Sequence, residues 1–217
     1  HSTLGGSEKY PDPSLFFSMI NQTYNTYLNA GTYISNTTFD SASLSEEQLL
    51  AFADYTMAGL YHPLIMTDER SMMREAYRYE LADEDSPITL TGTVYSEMKA
   101  HTSPIVLSQV RATKMMYPGS RFAAFNGGDP DYIPEMTWQE LKDFHDRYYH
   151  PSNSLTVLYG KLDPEPFLKL IDEEISRYDR QEIVLTDDGY TPISGRVEVK
   201  ETIPVSADSA KEAYIYY

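Results

Sequence analysis

The chain has 217 residues, 41% of them hydrophobic, with 17 Lys and Arg against 33 Asp and Glu and no cysteine. A formal charge of −16 repels phosphates and anionic headgroups, which sets aside nucleic acid and membranes as partners. Without cysteine there are no disulfides, thiolate nucleophiles or thiolate-bound zinc, so any metal must be held by His, Asp or Glu.

The apolar share suffices for one sizeable core and the start of a second domain. No apolar run approaches the length of a membrane span, and no signal peptide opens the chain, so the composition predicts a soluble globular piece.

In chain order, residues 26–33 and 37–41 suit a hairpin around Ser35-Asn36. Ser43-Leu44-Ser45-Glu46 has the form of a capping box ahead of an amphipathic helix carrying Leu49, Leu50, Ala53, Met57 and Leu60. His62 precedes Pro63, where that helix should stop, and suits a C-terminal cap; His101 is similarly placed after the next helix. That helix follows a strand-like run from Ile88 to Thr91, starts near Gly92 and carries Glu97. By pattern alone, such a carboxylate is a solvated residue beside a lysine.

Ser103-Pro104 opens a further helix with Leu107, Val110 and Met115, and Gly127-Gly128-Asp129-Pro130 reads as a tight turn. Thr137-Trp138-Gln139-Glu140 is a second capping box, feeding Leu141, Phe144 and Tyr148. His145 and His150 stand five apart, off a common helical face, and read as surface or cap histidines. Ser154 to Tyr159, between Asn153 and Gly160, suits a strand, and Asp163-Pro164 an N-cap before Phe167, Ile171 and Ile175.

Residues 181–194 form a linker in this reading, and 195–217, with strands at Arg196 to Val199 and Ala213 to Tyr217, begin a second domain of the same type. Helices and strands mix without a βαβ rhythm. The predicted class is therefore α+β, a mixed or antiparallel sheet packed with helices. Neither H-E-x-x-H nor G-x-S-x-G occurs, so two common hydrolase signatures are missing.

Four blocks nevertheless stand in a recognisable order. His1-Ser2-Thr3-Leu4-Gly5-Gly6-Ser7-Glu8-Lys9-Tyr10-Pro11 resembles the segment that follows the glutamate of the inverted zinc motif, H-x-x-E-H, in presequence proteases. Tyr27-Leu28-Asn29-Ala30-Gly31-Thr32-Tyr33 resembles their F-L-N-A-x-T-Y strand, and Gly92 to Lys99 their G-x-V-x-N-E-M-K segment. Gly127 to Pro130, Ile133-Pro134, Phe144-His145 and Tyr148 to Asn153 resemble the next block in order and spacing. The likeness runs from His1 to about Gly160, and its closest pattern is the presequence-protease branch of the pitrilysin/insulin-degrading inverzincin metallopeptidases.

That resemblance implies a processing-peptidase-like domain over 1–180, truncated at its N-terminus and lacking its first strands. It implies Zn2+ as cofactor, with His1 as the second histidine ligand and Glu97 as the third protein ligand, 96 positions later. The first histidine and the general-base glutamate would precede His1, so no catalytic residue is expected within the chain and the isolated piece is expected to be inactive. Asn29 and Ala30 would lie on a sheet edge to which substrate adds as a strand. Leu90, seven before Glu97, stands where some branches carry an additional acidic residue near the metal.

The implied partners are unfolded peptide substrates and the remaining domains of a two-halved clamshell. The implied place is the bacterial cytoplasm, with an organellar matrix as the alternative. A non-catalytic binding or assembly homologue of the same fold is the rival reading. An unrelated peptide-binding module is a more distant one.

Overall fold

A computed structural model describes residues 1–22, 26–184, 189, 192–200 and 202–203. A short 3-10 turn, Ser2–Leu4, leads into α1 (Leu15–Gln22), then the antiparallel hairpin of β1 (Thr26–Thr32) and β2 (Thr37–Ser43). The register pairs Thr26 with Ser43 and Thr32 with Thr37, leaving the turn at Ser35-Asn36 as the sequence predicts. α2 (Glu46–Tyr61) follows, then a 3-10 turn at Leu64–Met66 and the short α3 (Glu69–Glu75).

A second small antiparallel pair, β3 (Arg78–Glu80) with β4 (Thr89–Thr91), separates α3 from α4 (Thr93–Ala100). The remaining helices are α5 (Pro104–Met116), α6 (Trp138–Tyr148) and α7 (Glu165–Ile175), with 3-10 turns at Arg121–Ala123, Ile133–Glu135 and Pro151–Asn153. This is an α+β architecture. Among the described residues the strands form two separate two-stranded antiparallel sheets, and no helix is long and apolar enough to cross a membrane.

The capping chemistry explains most helix starts. Thr137 and Glu140 make both halves of the predicted box at α6, and Ser103 accepts from the Val106 amide at α5. At α2 the cap sits two residues later than predicted. Ser45 accepts from Gln48 N, while the Ser43 hydroxyl donates to the Gln48 side chain and accepts from Ser45 N. Two adjacent S-x-x-E/Q spacings compete, and pairing of β2 through Ser43 leaves Ser45 free to cap. At α7, Pro164 takes the N-cap position, and Asp163 instead holds the Glu165 amide at 3.0 Å.

Among the described residues, three apolar clusters make most of the interior. Leu28, Phe52 and Tyr55 join the hairpin to α2, with Leu4, Tyr10 and Phe16 packed on them. Ile65, Met72 and Ala76 gather α3 with Trp138 and Leu141 of α6. Tyr95, Met98 and Ile133 hold α4, and Tyr77 touches both of the last two clusters. In α2 it is Phe52, Tyr55, Met57, Ala58, Gly59 and Tyr61 that are buried. Leu49, Leu50, Ala53 and Leu60 are only partly covered. The aromatic side chains bury more area per residue and so set the inward face.

Two strand expectations fail. Residues 154–159 form no strand, with Leu155 88% and Tyr159 94% exposed. Residues 196–199 likewise carry no strand. A strand needs a neighbour for its amides and carbonyls, and neither run has one among the described residues. The strand expected at Ala213 to Tyr217 lies outside the described residues.

Candidate metal centre

His1 N-caps the Ser2–Leu4 turn, and that turn is fastened from two sides. Tyr55 Oη of α2 donates to Leu4 O at 2.6 Å, and Arg74 Nη2 of α3 donates to Gly5 O at 3.0 Å. Beyond it, Leu64 N donates to Gly6 O and Glu8 N to His62 O. Lys9 and the Tyr10 hydroxyl both bond the Asp54 carboxylate on α2, at 2.6–2.7 Å. The K-Y-P run therefore anchors the segment that presents His1.

Glu97 comes from α4, whose start is set by Gly92. Its φ of 155° and ψ of 153° belong to a region that side chains avoid. A Cβ there would lie 2.3 Å from Ala76 O. The close approach lets Tyr95 N donate to Ala76 O at 3.2 Å and Thr93 Oγ1 to Arg74 O at 3.4 Å. The end of α3 thus carries α4.

The result brings together two residues 96 positions apart: His1 Nε2 lies 3.1 Å from Glu97 Oε2, each side chain about half exposed. On the other ring nitrogen, Nδ1 lies 3.7 Å from Glu75 Oε2, a charge contact rather than a short hydrogen bond. The His1 pKa is raised, chiefly by Glu75, with burial opposing and Glu97 adding. Burial pushes the Glu75 carboxyl up. His1 and Arg74 together outweigh it and hold the group below its ordinary value.

The donor chemistry fits zinc in part. An imidazole nitrogen and a carboxylate converge on one point, and a carboxylate backs the other ring nitrogen, the outer support usual for a metal-bound histidine. A catalytic zinc takes three protein donors and an open position. Among the described residues no group of three His, Asp or Glu is arranged to hold a metal. His1 and Glu97 are two groups of the right chemistry, short of the full set a catalytic zinc takes.

Glu75 is the residue that sequence reasoning missed. The additional acidic group was sought seven positions before Glu97, where Leu90 stands; Leu90 packs instead against the Tyr95–Met98–Ile133 cluster. The β3–β4 hairpin lies between Glu75 and Glu97 and breaks any fixed offset. The adjacent Arg74-Glu75 pair was the available signal, and it is weak.

Asn29 and Ala30 sit mid-strand on β1, opposite Asp40 and Phe39. Asn29 is exposed and its Oδ1 accepts from Ala30 N at 2.8 Å. β1 is paired with β2 alone among the described residues.

The other histidines serve the fold. His62 does cap α2, and its Nε2 also meets Glu174 Oε1 of α7 at 2.6 Å. His101 caps α4. His145 Nε2 donates to Leu60 O at 2.8 Å. His150 is a cap, as one of its two readings had it, though buried rather than on the surface: it N-caps the Pro151–Asn153 turn, its Nδ1 accepting from Ser152 N.

Solved structures share this architecture. The first half of the periplasmic protease PqqL from Escherichia coli matches with a TM-score of 0.57 at 16% identity, over 86% of this chain and 37% of that one. Pitrilysin matches with a TM-score of 0.53 at 21% identity, over 83% of this chain and 18% of that one. The fold is that of this class of protease domain. In sequence, Protein HypA of Clostridium perfringens is 35% identical over 84% of this chain and 19% of its own length. Presequence protease 1, chloroplastic/mitochondrial, of Arabidopsis thaliana is 32% identical over 82% of this chain and 17% of its own. The mitochondrial presequence protease of Mus musculus is 34% identical over 84% and 18%. Residues 135–213 match the family model described as the Peptidase M16 inactive domain. The chain belongs to the M16 peptidase family, and it spans about a fifth of the length of these relatives.

Proposed function

We propose that the chain is the ligand-bearing part of a zinc endopeptidase that degrades unfolded peptides, and that it is inactive by itself. The observation that carries this reading is the meeting of His1 and Glu97 at 3.1 Å across 96 positions. His1 Nε2 and the Glu97 carboxylate would hold the metal, and Glu75 would keep the His1 ring oriented. The metal, when bound, supplies Lewis-acid polarisation of the scissile carbonyl and activation of water. A third donor and the general base would come from polypeptide preceding His1.

The β1 edge at Asn29 and Ala30 would receive an extended peptide, whose main chain can hydrogen-bond to a strand edge without a sequence requirement. Residues 1–180 would form this unit and 195–217 open the next, with 181–194 between them. Closure against the further domains would select for flexible peptides. Bacterial and organellar relatives are compatible with a bacterial cytoplasmic protein, which we favour, or an organellar matrix.

The test is zinc content and peptide cleavage of the longer protein, extended upstream of His1, beside its Glu97→Gln variant. About one zinc per chain and cleavage are expected, both lost or greatly weakened in the variant. A second reading is a non-catalytic homologue of the same fold. It is favoured by the match of residues 135–213 to a domain described as inactive. Absence of bound zinc in both proteins would select it.

A further inference from the structure

Building on the metal reading above, we infer that Arg74 is a positioning residue for the His1–Glu97 pair. One side chain and its own carbonyl touch three supports of the junction. The guanidinium Nε donates to Glu75 Oε1 at 2.8 Å, and Nη2 donates to Gly5 O, the residue ending the turn that begins at His1, at 3.0 Å. The carbonyl of the same residue accepts from Thr93 Oγ1 at the start of the helix that bears Glu97. Arg74 thus joins the His1 turn, the carboxylate behind the His1 ring and the Glu97 helix.

The space around it is fitted to that role. Gly5 has an ordinary φ of −87°, so backbone freedom does not require glycine there. What the position needs is room: a Cβ would stand 3.1 Å from Arg74 Nη2 and 3.6 Å from Glu75 Oε1. A planar fork can hold a carboxylate and a carbonyl at once, whereas a lysine ammonium is a single point of charge. Arg74 touches neither ring nitrogen nor the Glu97 carboxylate in any described contact, so its influence passes through Glu75 and the backbone.

The experiment measures zinc affinity of the longer protein by chelator competition, together with the visible spectrum of its Co2+-substituted form. Thermal unfolding serves as the control for folding. Arg74→Met should weaken zinc roughly ten- to hundredfold, as removal of an outer support does, and change the Co2+ spectrum at nearly unchanged Tm. Arg74→Lys should recover only part of that loss. Gly5→Ala keeps every charge while crowding the guanidinium; it should weaken zinc in the same direction but less, and it carries the test if Arg74→Met does not fold. Unchanged affinity in folded Arg74→Met, or in Gly5→Ala where Arg74→Met does not fold, overturns the inference, and with zinc lost in Glu97→Gln the metal reading still stands. Zinc binding that Glu97→Gln leaves intact overturns both.

Discussion

The junction at His1 and Glu97 and the run from Ser154 to Tyr159 are opposites. The first has almost no local signal: a histidine beside a 3-10 turn, and a glutamate on a helix of eight residues. Yet it is held by Tyr55, Arg74, Thr93 and the Tyr95 amide, all from other elements or across an element boundary. The second has a strong local signal, with Leu155, Val157, Leu158 and Tyr159 bounded by turn residues, and among the described residues it joins no sheet. Propensity offers an extended backbone; only a partner makes it a strand. A site, by contrast, can be assembled from poor local signals once the scaffold fixes the distances.

Breaking the scaffold at the junction should have the largest effect. Gly92→Ala forces a side chain into a backbone region where glycine is at home and drives its Cβ onto Ala76 O. A loss of about 3 kcal/mol is expected from strain and clash together, read by denaturant unfolding. Unchanged stability would mean that the α3–α4 contact can slip without cost.

A milder probe asks whether links away from the junction are also tertiary in origin. Burial lowers the His145 pKa below its ordinary 6.5 despite the bond to Leu60 O, so the folded protein prefers the neutral ring. Its contribution is then intact above the unfolded value of 6.5 and is lost as pH falls through the lower folded value. Stability measured from pH 7.5 down to 5 should therefore decline, and His145→Gln should flatten part of that slope. An identical slope in the variant would remove His145 as its source.

The smallest effect belongs to the unpaired run. Leu155 is 88% exposed, and Leu155→Ala should change the stability of residues 1–217 by less than about 0.5 kcal/mol. A loss of several kcal/mol in a longer form of the protein, against none in this one, would show that the run gains its partner from outside these residues.

Local chemistry made much of the fold legible. The box at Thr137 and Glu140, the cap at Ser103 and the hairpin turn at Ser35-Asn36 depend on groups a few residues apart, and all are found as predicted. The Ser43–Glu46 box is displaced because Ser45 and Gln48 offer the same chemistry two residues on. For the candidate site, the pairing of His1 with Glu97 was readable through family resemblance alone, since no spacing rule connects residues 96 apart. Glu75 was not readable, because a hairpin of unpredictable length separates it from Glu97.

By itself, then, the sequence determined the α+β class, most helix starts, the hairpin and the absence of thiol chemistry, all governed by composition or by contacts within a turn or two. The tertiary structure decided which carboxylate stands behind the His1 ring, that Arg74 ties the junction together, and that residues 154–159 are left unpaired among those described. Those outcomes depend on where α3, α4 and the N-terminal turn meet in space, and no local hydrogen bond or side-chain period encodes that meeting.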